Sequence, residues 1–391
     1  MIANESEYIQ LKKRLKEGWK EEADSPTAKH YIANPTYPEK QGEIDDGLSI
    51  KKESLYTTVD TFCSYVVGSG KEIKDLNGSS IEPYKSRIGE ITKVSRINNE
   101  ENLHNLINRL YLYDGSVVKI SPKTIYNNPI EILTGSKTEN TTSGIRHYLS
   151  MGELSSTTVT YKIVNNNNTA LSNIIEVEME PSSTLNLNIV YEGNVNSLDY
   201  LGVKVEEKEN ATLNLFIAVK DSCNFYSDVV NTLHNGAYLS SNSIINSDVP
   251  SNAIMNLKNV HIGHNSTSNT IMKSVSSSKN KVVLKGNITI ENTGIKSSAD
   301  LAALAMLFSE DALANVLPTL TIKNNDVHAK HKASVEKIDE EKLFYIMSRG
   351  INLSMSQQLF KEAFTIDILS KLKDHSVKRY IEDKWYHGFG H

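Results

Sequence analysis

The tetrapeptide Thr-Leu-Asn-Leu at Thr184–Leu187 returns unchanged at Thr212–Leu215, 28 residues on. Each copy sits inside a run, SSTLNLNIVY and NATLNLFIAV, in which apolar and polar residues alternate. That period of two belongs to a strand with one face buried and one exposed. A spacing of this size is also that of stacked supersecondary units, each burying its apolar row against the next. The repeat therefore limits the middle of the chain to β architectures with regularly spaced strands.

The same character extends from about residue 112 onward. Short candidate strands follow at Val260–Ile262, Thr270–Met272, Val282–Leu284 and Ile288–Ile290, separated by Asn, Ser and Gly. Composition fits a β-helix or a β-sandwich equally well. Asn165–Asn168 reads as a turn or exposed loop.

The two ends read differently. Asn4 and Glu7 form a capping pair, and Tyr8, Leu11, Leu15 and Trp19 share a helical face. Pro26, Pro35 and Pro38 mark an irregular connection over 26–55. Leu103, Leu106, Ile107 and Leu110 predict another helix. After a last β stretch, TLTIKNNDVHAKH, Asp339 caps a helix beginning at Glu340, with Arg349 in its last turn and Gly350 as its stop. Ser354 and Gln357 cap a second helix with Met355, Leu359, Ala363 and Phe364 on one side. Val377, Tyr380, Ile381 and Trp385 come together in a third. The expected division is an N-terminal helical or mixed region over 1–111, a β core over 112–335 and a C-terminal helical module over 336–391.

Composition removes several classes of function. The net charge of −5 provides no basic field for wrapping nucleic acid. No apolar run approaches the roughly 20 residues that span a bilayer, and the charged start MIANESEYIQLKKRLKEGWK lacks a signal-peptide core, so the expectation is a cytoplasmic chain. With Cys63 and Cys223 as its only cysteines, the chain cannot build a four-thiolate zinc or iron–sulfur site alone. Around Gly68, Gly70 and Lys71 the sequence approaches a phosphate loop, but Glu72 replaces the required Ser/Thr and Tyr65 the first glycine. ATP binding is not expected. Asp45–Asp46 reads as a solvated loop.

Histidines remain as candidate metal ligands. His328 and His331 are three apart, a spacing that shares a face on a helix and opposes faces on a strand. Asn324, Asn325 and Asp326 disfavour a helix there, so at most one imidazole faces any given site. His261 and His264 have the same spacing, and His387 and His391 lie in a terminal tail.

The segments SNTIMKSVSSSKNKVVLKGNITI, LPTLTIKNNDVHAKHKASVEKIDEEKLFYIMSRGI and AFTIDIL, in that order, resemble the SufB/SufD family of iron–sulfur cluster assembly scaffolds over roughly residues 235–372. The resemblance implies a right-handed parallel β-helix core with helical N-terminal and C-terminal domains. It further implies a non-enzymatic scaffold that pairs with a SufB-like paralogue and docks a SufC-like ABC ATPase on its C-terminal module, and it leaves open a homodimer of the isolated chain. Phe344, Tyr345, Arg349 and Gly350 match the family's FY…SRG signature, and with Phe364 they are the expected partner contacts. SufB-like chains carry a cysteine on the strand before the Pro318 segment, near the position that Ala303 holds here, and an acidic residue just after the histidine, where Lys332 follows His331. The departure favours a SufD-like chain. His331, with His328 second, would then offer an imidazole to iron or a nascent cluster at the partner interface, the isolated chain holding no cofactor tightly. The competing readings are a carbohydrate-active β-helix protein and a metal-free β-solenoid interaction protein. The terminal helices could also serve only to cap the open solenoid end, which such folds require.

Overall fold

In the computed structural model, residues 61–67, 80–83, 108, 112–136, 142–165, 169–222 and 224–386 are described. The strands are β1 (Thr61–Val67), β2 (Ser80–Pro83), β3 (Leu112–Ile120), β4 (Ile130–Ser136), β5 (Thr142–Met151), β6 (Ser156–Val164), β7 (Ala170–Met179), β8 (Thr184–Glu192) and β9 (Leu198–Glu207). They continue as β10 (Thr212–Lys220), β11 (Asn224–Leu233), β12 (Tyr238–Ser247), β13 (Asn252–His261), β14 (Thr267–Ser276), β15 (Lys281–Ile290), β16 (Ser298–Leu307), β17 (Leu313–Ile322) and β18 (His328–Lys337). Helices α1 (Glu340–Met347), α2 (Leu353–Leu369) and α3 (His375–Ile381) follow, with a π-helical turn at Glu382–Tyr386.

From β3 onward, consecutive strands alternate between two nine-stranded sheets, and each pairs in parallel with the strand two places on. The result is a parallel β-solenoid of about eight coils. The sequence repeat is its register: Thr184 lies opposite Thr212, and each residue through Glu192 lies opposite its counterpart through Lys220. Leu185, Leu187, Leu213 and Leu215 are buried inside, while Asn214 outside donates from Nδ2 to Asn186 Oδ1 at 3.0 Å. The sandwich alternative is thereby removed.

One corner of the coil repeats almost without variation. Lys123, Leu154, Ser182, Asn210, Gly236, Asn265 and Lys296 all have φ between 54° and 64°. A small residue follows each, and at Ser155, Ser183, Ala211 and Ala237 its N–H returns to the carbonyl three residues back, at 3.0–3.2 Å. The left-handed residue turns the chain sharply, and only a small side chain fits inside the bend.

Val282–Leu284 and Ile288–Ile290, expected as separate strands, are halves of β15. Gly286 between them is no break. A Cβ there would come within 2.6 Å of Leu301, so the glycine makes room for the side chain beside it. The interior also contains titratable groups. His147 and His261 are buried and neutral, burial pushing them down to about 3 and about 4 respectively, and buried Glu207 is raised well above the carboxylate range by burial first and by neighbouring Glu206 second.

At the N-terminal end, β1 and β2 pair antiparallel with β4 and β3 and close the edges of the first coil. A helical N-terminal domain thus has no support in the described residues, where 1–111 contributes these two strands and Asn108. Asn108, in helical geometry, donates from Nδ2 to Ile145 O and Ser172 O at 3.1 and 2.8 Å, on the outer side of the second sheet. The helix expected over 4–24, the one around Leu103–Leu110 apart from Asn108, the irregular 26–55 stretch, Asp45–Asp46, Gly68–Glu72, Cys223, His387 and His391 lie outside the described residues.

The end helices do not cap the solenoid. Ile368, Leu369, Leu372, Val377, Ile381, Trp385 and Tyr386 pack against Val190, Phe216, Ala218 and Ile244, which lie on the outer face of β8, β10 and β12. Polar ties add to this seam: Tyr380 donates to Glu192 at 2.7 Å, and Asp248 receives both Lys220, at 2.9 Å, and Lys361. Burial works against the Asp248 charge, yet the two ammoniums hold its carboxyl at about 2.

Candidate metal centre and partner surfaces

Asn324–Asp326 falls in the bend between β17 and β18, and both histidines lie on β18. His331 pairs with Leu301 and His328 with Ser298. Leu301 belongs to the buried, interior row of β16 and Ser298 to its outer row. Strand alternation therefore turns His331 toward the solenoid axis and His328 outward. His331 is nevertheless exposed, because no coil follows.

The last coil is an open end. Among the described residues β17 and β18 are the terminal strands of their sheets, so each has an unpaired backbone edge. Val316, Leu320 and Ala329 are only partly buried, and Ile322 and Val335, also on interior rows, are exposed. Ala303 is fully buried one coil below, paired with Ala333. Lys332 shares the outer row with Ala302. Among the described residues no group of three His, Cys, Asp or Glu side chains could hold a metal ion. Any metal at His331 thus needs ligands from beyond the described residues. His261 is excluded from such work: its Nδ1 and Nε2 are each 2.8 Å from a serine hydroxyl, of Ser266 and Ser268, inside the core.

Asp339 caps α1, accepting from the backbone of Glu341 and Lys342 at 3.1 Å, and α1 buries none of its residues. Phe344 is 73% exposed and Tyr345 58%. Arg349 lies beyond the helix rather than in its last turn, its guanidinium 4.7 Å from the Tyr345 ring centre and bonded to the Tyr345 hydroxyl. Gly350, at φ 90°, ends the turn. The cap of α2 is Asn352, which accepts from Met355 N at 2.9 Å, not Ser354. Its buried face also differs from expectation, being Ser356, Lys361, Thr365, Ile368 and Leu369, while Met355, Leu359 and Ile366 face solvent. Phe364 is partly buried beneath Lys273, whose Nζ lies 4.6 Å from the ring and donates to Phe364 O at 2.5 Å and Asp367 Oδ1 at 2.6 Å. It belongs to the seam with β14. A cleft of about 370 Å³ between Leu307, Phe308, Leu343, Phe344 and Met347 joins α1 to the end of the solenoid.

No helix among the described residues is long and apolar enough to cross a membrane. The chain is similar to the iron-sulfur cluster assembly protein SufD of Escherichia coli (strain K12), with 32% identity over 114 residues, 29% of this chain and 27% of that protein. It is also similar to the SufBD family protein ycf24 of Porphyra purpurea, at 32% over 115 residues, 29% of this chain and 24% of the relative. A chloroplastic SufBD family protein of Arabidopsis thaliana, ABCI8, is 29% identical over 117 residues, 30% of this chain and 21% of its own length. The aligned stretch spans about a quarter of these relatives. The relative named SufD supports the SufD-like side of the family for this chain. A family model described as the SufBD core domain of SUF system FeS cluster assembly matches residues 133–364, and with more than half its length so covered the chain belongs to the SufBD family.

Proposed function

We propose that this chain is the non-catalytic, SufD-like subunit of a SUF-type iron–sulfur assembly complex, built on a right-handed coil. Its last coil pairs with a SufB-like paralogue, α1 and the exposed face of α2 receive a SufC-like ABC ATPase, and His331 offers an imidazole to iron or a nascent cluster at the paralogue interface. The observation that carries this reading is the uncovered last coil, where two free strand edges and an unfinished apolar interior surround an inward-turned histidine. A second chain laid on that end would satisfy the edges and bury Ile322 and Val335. Thiolates from that chain could complete mixed ligation around the imidazole, a set that holds iron yet can release it. Family membership leaves the carbohydrate-active reading without support.

The test is co-expression of this chain with a tagged paralogue and the ATPase, purified anaerobically and followed by visible absorption of the cluster. Val335→Asp, on an exposed side chain, is expected to abolish co-purification with the paralogue while the chain stays folded. Undiminished co-purification would remove the last coil from the interface.

A further inference from the structure

We infer that α1 is a hinged flap with two positions: an open one, in which Phe344 is exposed, and a closed one, in which Leu343, Phe344 and Met347 fill the cleft of about 370 Å³ between α1 and the end of the solenoid. The wall on the solenoid side is fixed. Leu307 is buried at the end of β16, and Phe308 beside it is pinned by its N–H, which donates to Ser276 O at 2.9 Å, and by the Lys361 ammonium of α2, 5.3 Å from its ring centre. The opposite wall is α1 itself, where Leu343, Phe344 and Met347 share one face of the helix.

That second wall is free to move. Asp339 caps the helix and pairs with Lys342 at 3.0 Å, Ser348 Oγ donates to Tyr345 O at 2.7 Å, and Arg349 stacks on Tyr345 and bonds its hydroxyl. Among the described residues no side chain from 339 to 350 makes a hydrogen bond or ion pair outside that segment. By contrast, α2 is bound to β14 through Lys273 and Asp367 at 2.6 Å, and α3 to β8 through Tyr380 and Glu192 at 2.7 Å. A helix that is complete in itself and buries nothing belongs to the low-stability end of a structure and shifts as a unit. Its joints lie at both ends. Ile338 N, donating to Leu307 O at 2.9 Å, is the last backbone tie before the helix, and Gly350 follows it at φ 90° with no atom within 4 Å of where a Cβ would stand. The glycine has both the backbone freedom and the room to turn.

Closure is driven by withdrawing the apolar face of α1 from water onto Leu307 and Phe308. Its cost is confined to the freedom of the two joints, because the helix is formed and capped in both positions. A closed flap also hides Phe344, so opening sets what fraction of the chain can receive the ATPase. This consequence rests on the reading of α1 as an ATPase contact; the flap itself does not.

Fluorine NMR of the full chain, with 4-fluorophenylalanine in place of Phe344 and a neutral gadolinium chelate in solution, tests the inference. The same label at Ile366, on the solvent face of α2, supplies the reference for a side chain that stays in water. The chelate is expected to relax the label at 344 about twofold less than the label at 366, as a flap closed half the time requires. Met347→Glu, which puts a charge on a side chain already 38% exposed, should hold the flap open, raise relaxation at 344 to the reference and leave the melting temperature unchanged. Met347→Leu should behave as the wild type. Equal relaxation at 344 and 366 in the wild type, or relaxation at 344 that Met347→Glu leaves unchanged, overturns the flap. Because these measurements need no ATPase, such a result leaves the ATPase reading standing, and an ATPase that fails to bind strikes that reading alone.

Discussion

His331 stands in register with Leu301, one coil apart on the same interior row. The leucine is sealed in the core and the histidine is exposed only because the solenoid ends there. His331→Ala therefore removes little packing and should change stability by less than about 0.5 kcal/mol. In the reconstituted complex it should lower iron–sulfur content, whereas His328→Ala, on the outer row with Ser298, should have the smaller effect. Wild-type cluster loading in both variants would reduce this end of the molecule to a protein–protein seam.

Phe344 and Tyr345 project from a helix that buries nothing. Large exposed aromatics of this kind concentrate binding energy when a partner covers them. Phe344→Ala and Tyr345→Ala should each weaken ATPase capture by about tenfold, consistent with a hot-spot contribution above 1 kcal/mol, and leave the melting temperature unchanged. Deleting 336–391 is the poorer experiment, since it would strip the apolar cover from Val190, Phe216 and Ile244. If capture survives both substitutions, the ATPase docks elsewhere.

The period of the solenoid was readable because Thr184–Leu187 and Thr212–Leu215 obey both the alternation and the stacking distance. Where the interior turns polar, at Asn231, Ser241, Ser243 and His261, alternation fails as a signal and long strands read as fragments or disappear. The corners were hidden for another reason: Lys123, Leu154 and Lys296 give no glycine signal for their left-handed backbone, and the informative feature is the small residue after them. On α2 the apolar face was visible but its destination was not, since Asp248, Phe308 and Tyr386 draw Lys361 and Thr365 inward instead. The opposition of His328 and His331 was legible from strand geometry alone. The ligands that would complete a metal site were not, because the described chain does not contain them.

Acid should loosen the coil through His147 and His261. Their imidazoles have pKa values lowered by burial to about 3 and about 4, so the unfolded chain binds two protons below pH 6.5 that the folded chain refuses. Stability is then complete above about pH 6.5 and lost as pH falls toward those values, at up to about 1.4 kcal/mol per unit for each group. Backbone N–H of Ser116 donates to His147 Nδ1 at 3.2 Å, which a shorter asparagine oxygen can partly replace. Denaturant melts of His147→Asn at pH 7.5, 6 and 5 should show lower stability at the top of the range and a shallower decline. A decline as steep as the wild type's would mean that His147 takes up its proton without unfolding.

Glu207 presents the opposite sign. Burial, and then Glu206, raise its carboxyl, and among the described residues neither oxygen has a partner. The unfolded chain sheds this proton near the ordinary carboxylate value while the fold retains it, so the contribution to stability is largest at low pH and declines as pH rises. Met179 and Leu233 are its register neighbours on either side. Glu207→Met continues that apolar column, and should stabilise the chain by about 1–3 kcal/mol, the usual cost of an unmatched buried polar group, with a larger gain at pH 8 than at pH 5. A loss of stability at both pH values would show that the carboxyl is satisfied in solution.

Leu154 is the least suited residue at its corner. It holds φ at 57° with its side chain half exposed, so an apolar, γ-branched residue occupies a left-handed position and places carbon in water. The left-handed region costs an ordinary L-residue about 1–2 kcal/mol, and asparagine tolerates it better because its short polar side chain bonds locally. Asparagine already fills the equivalent corner at Asn210 and Asn265, at φ 56° and 54°. The bend itself depends on Ser155, whose N–H and hydroxyl both return to Gly152 O at 3.2 and 2.6 Å, and not on the leucine side chain. Leu154→Asn should therefore raise stability by about 0.5–1 kcal/mol and the melting temperature by about 1–3 °C. Leu154→Val, β-branched and worse in this region, should lower both. If asparagine lowers the melting temperature as valine does, the exposed leucine is covered in solution by a part of the chain or a second molecule, and its contact outweighs the backbone cost.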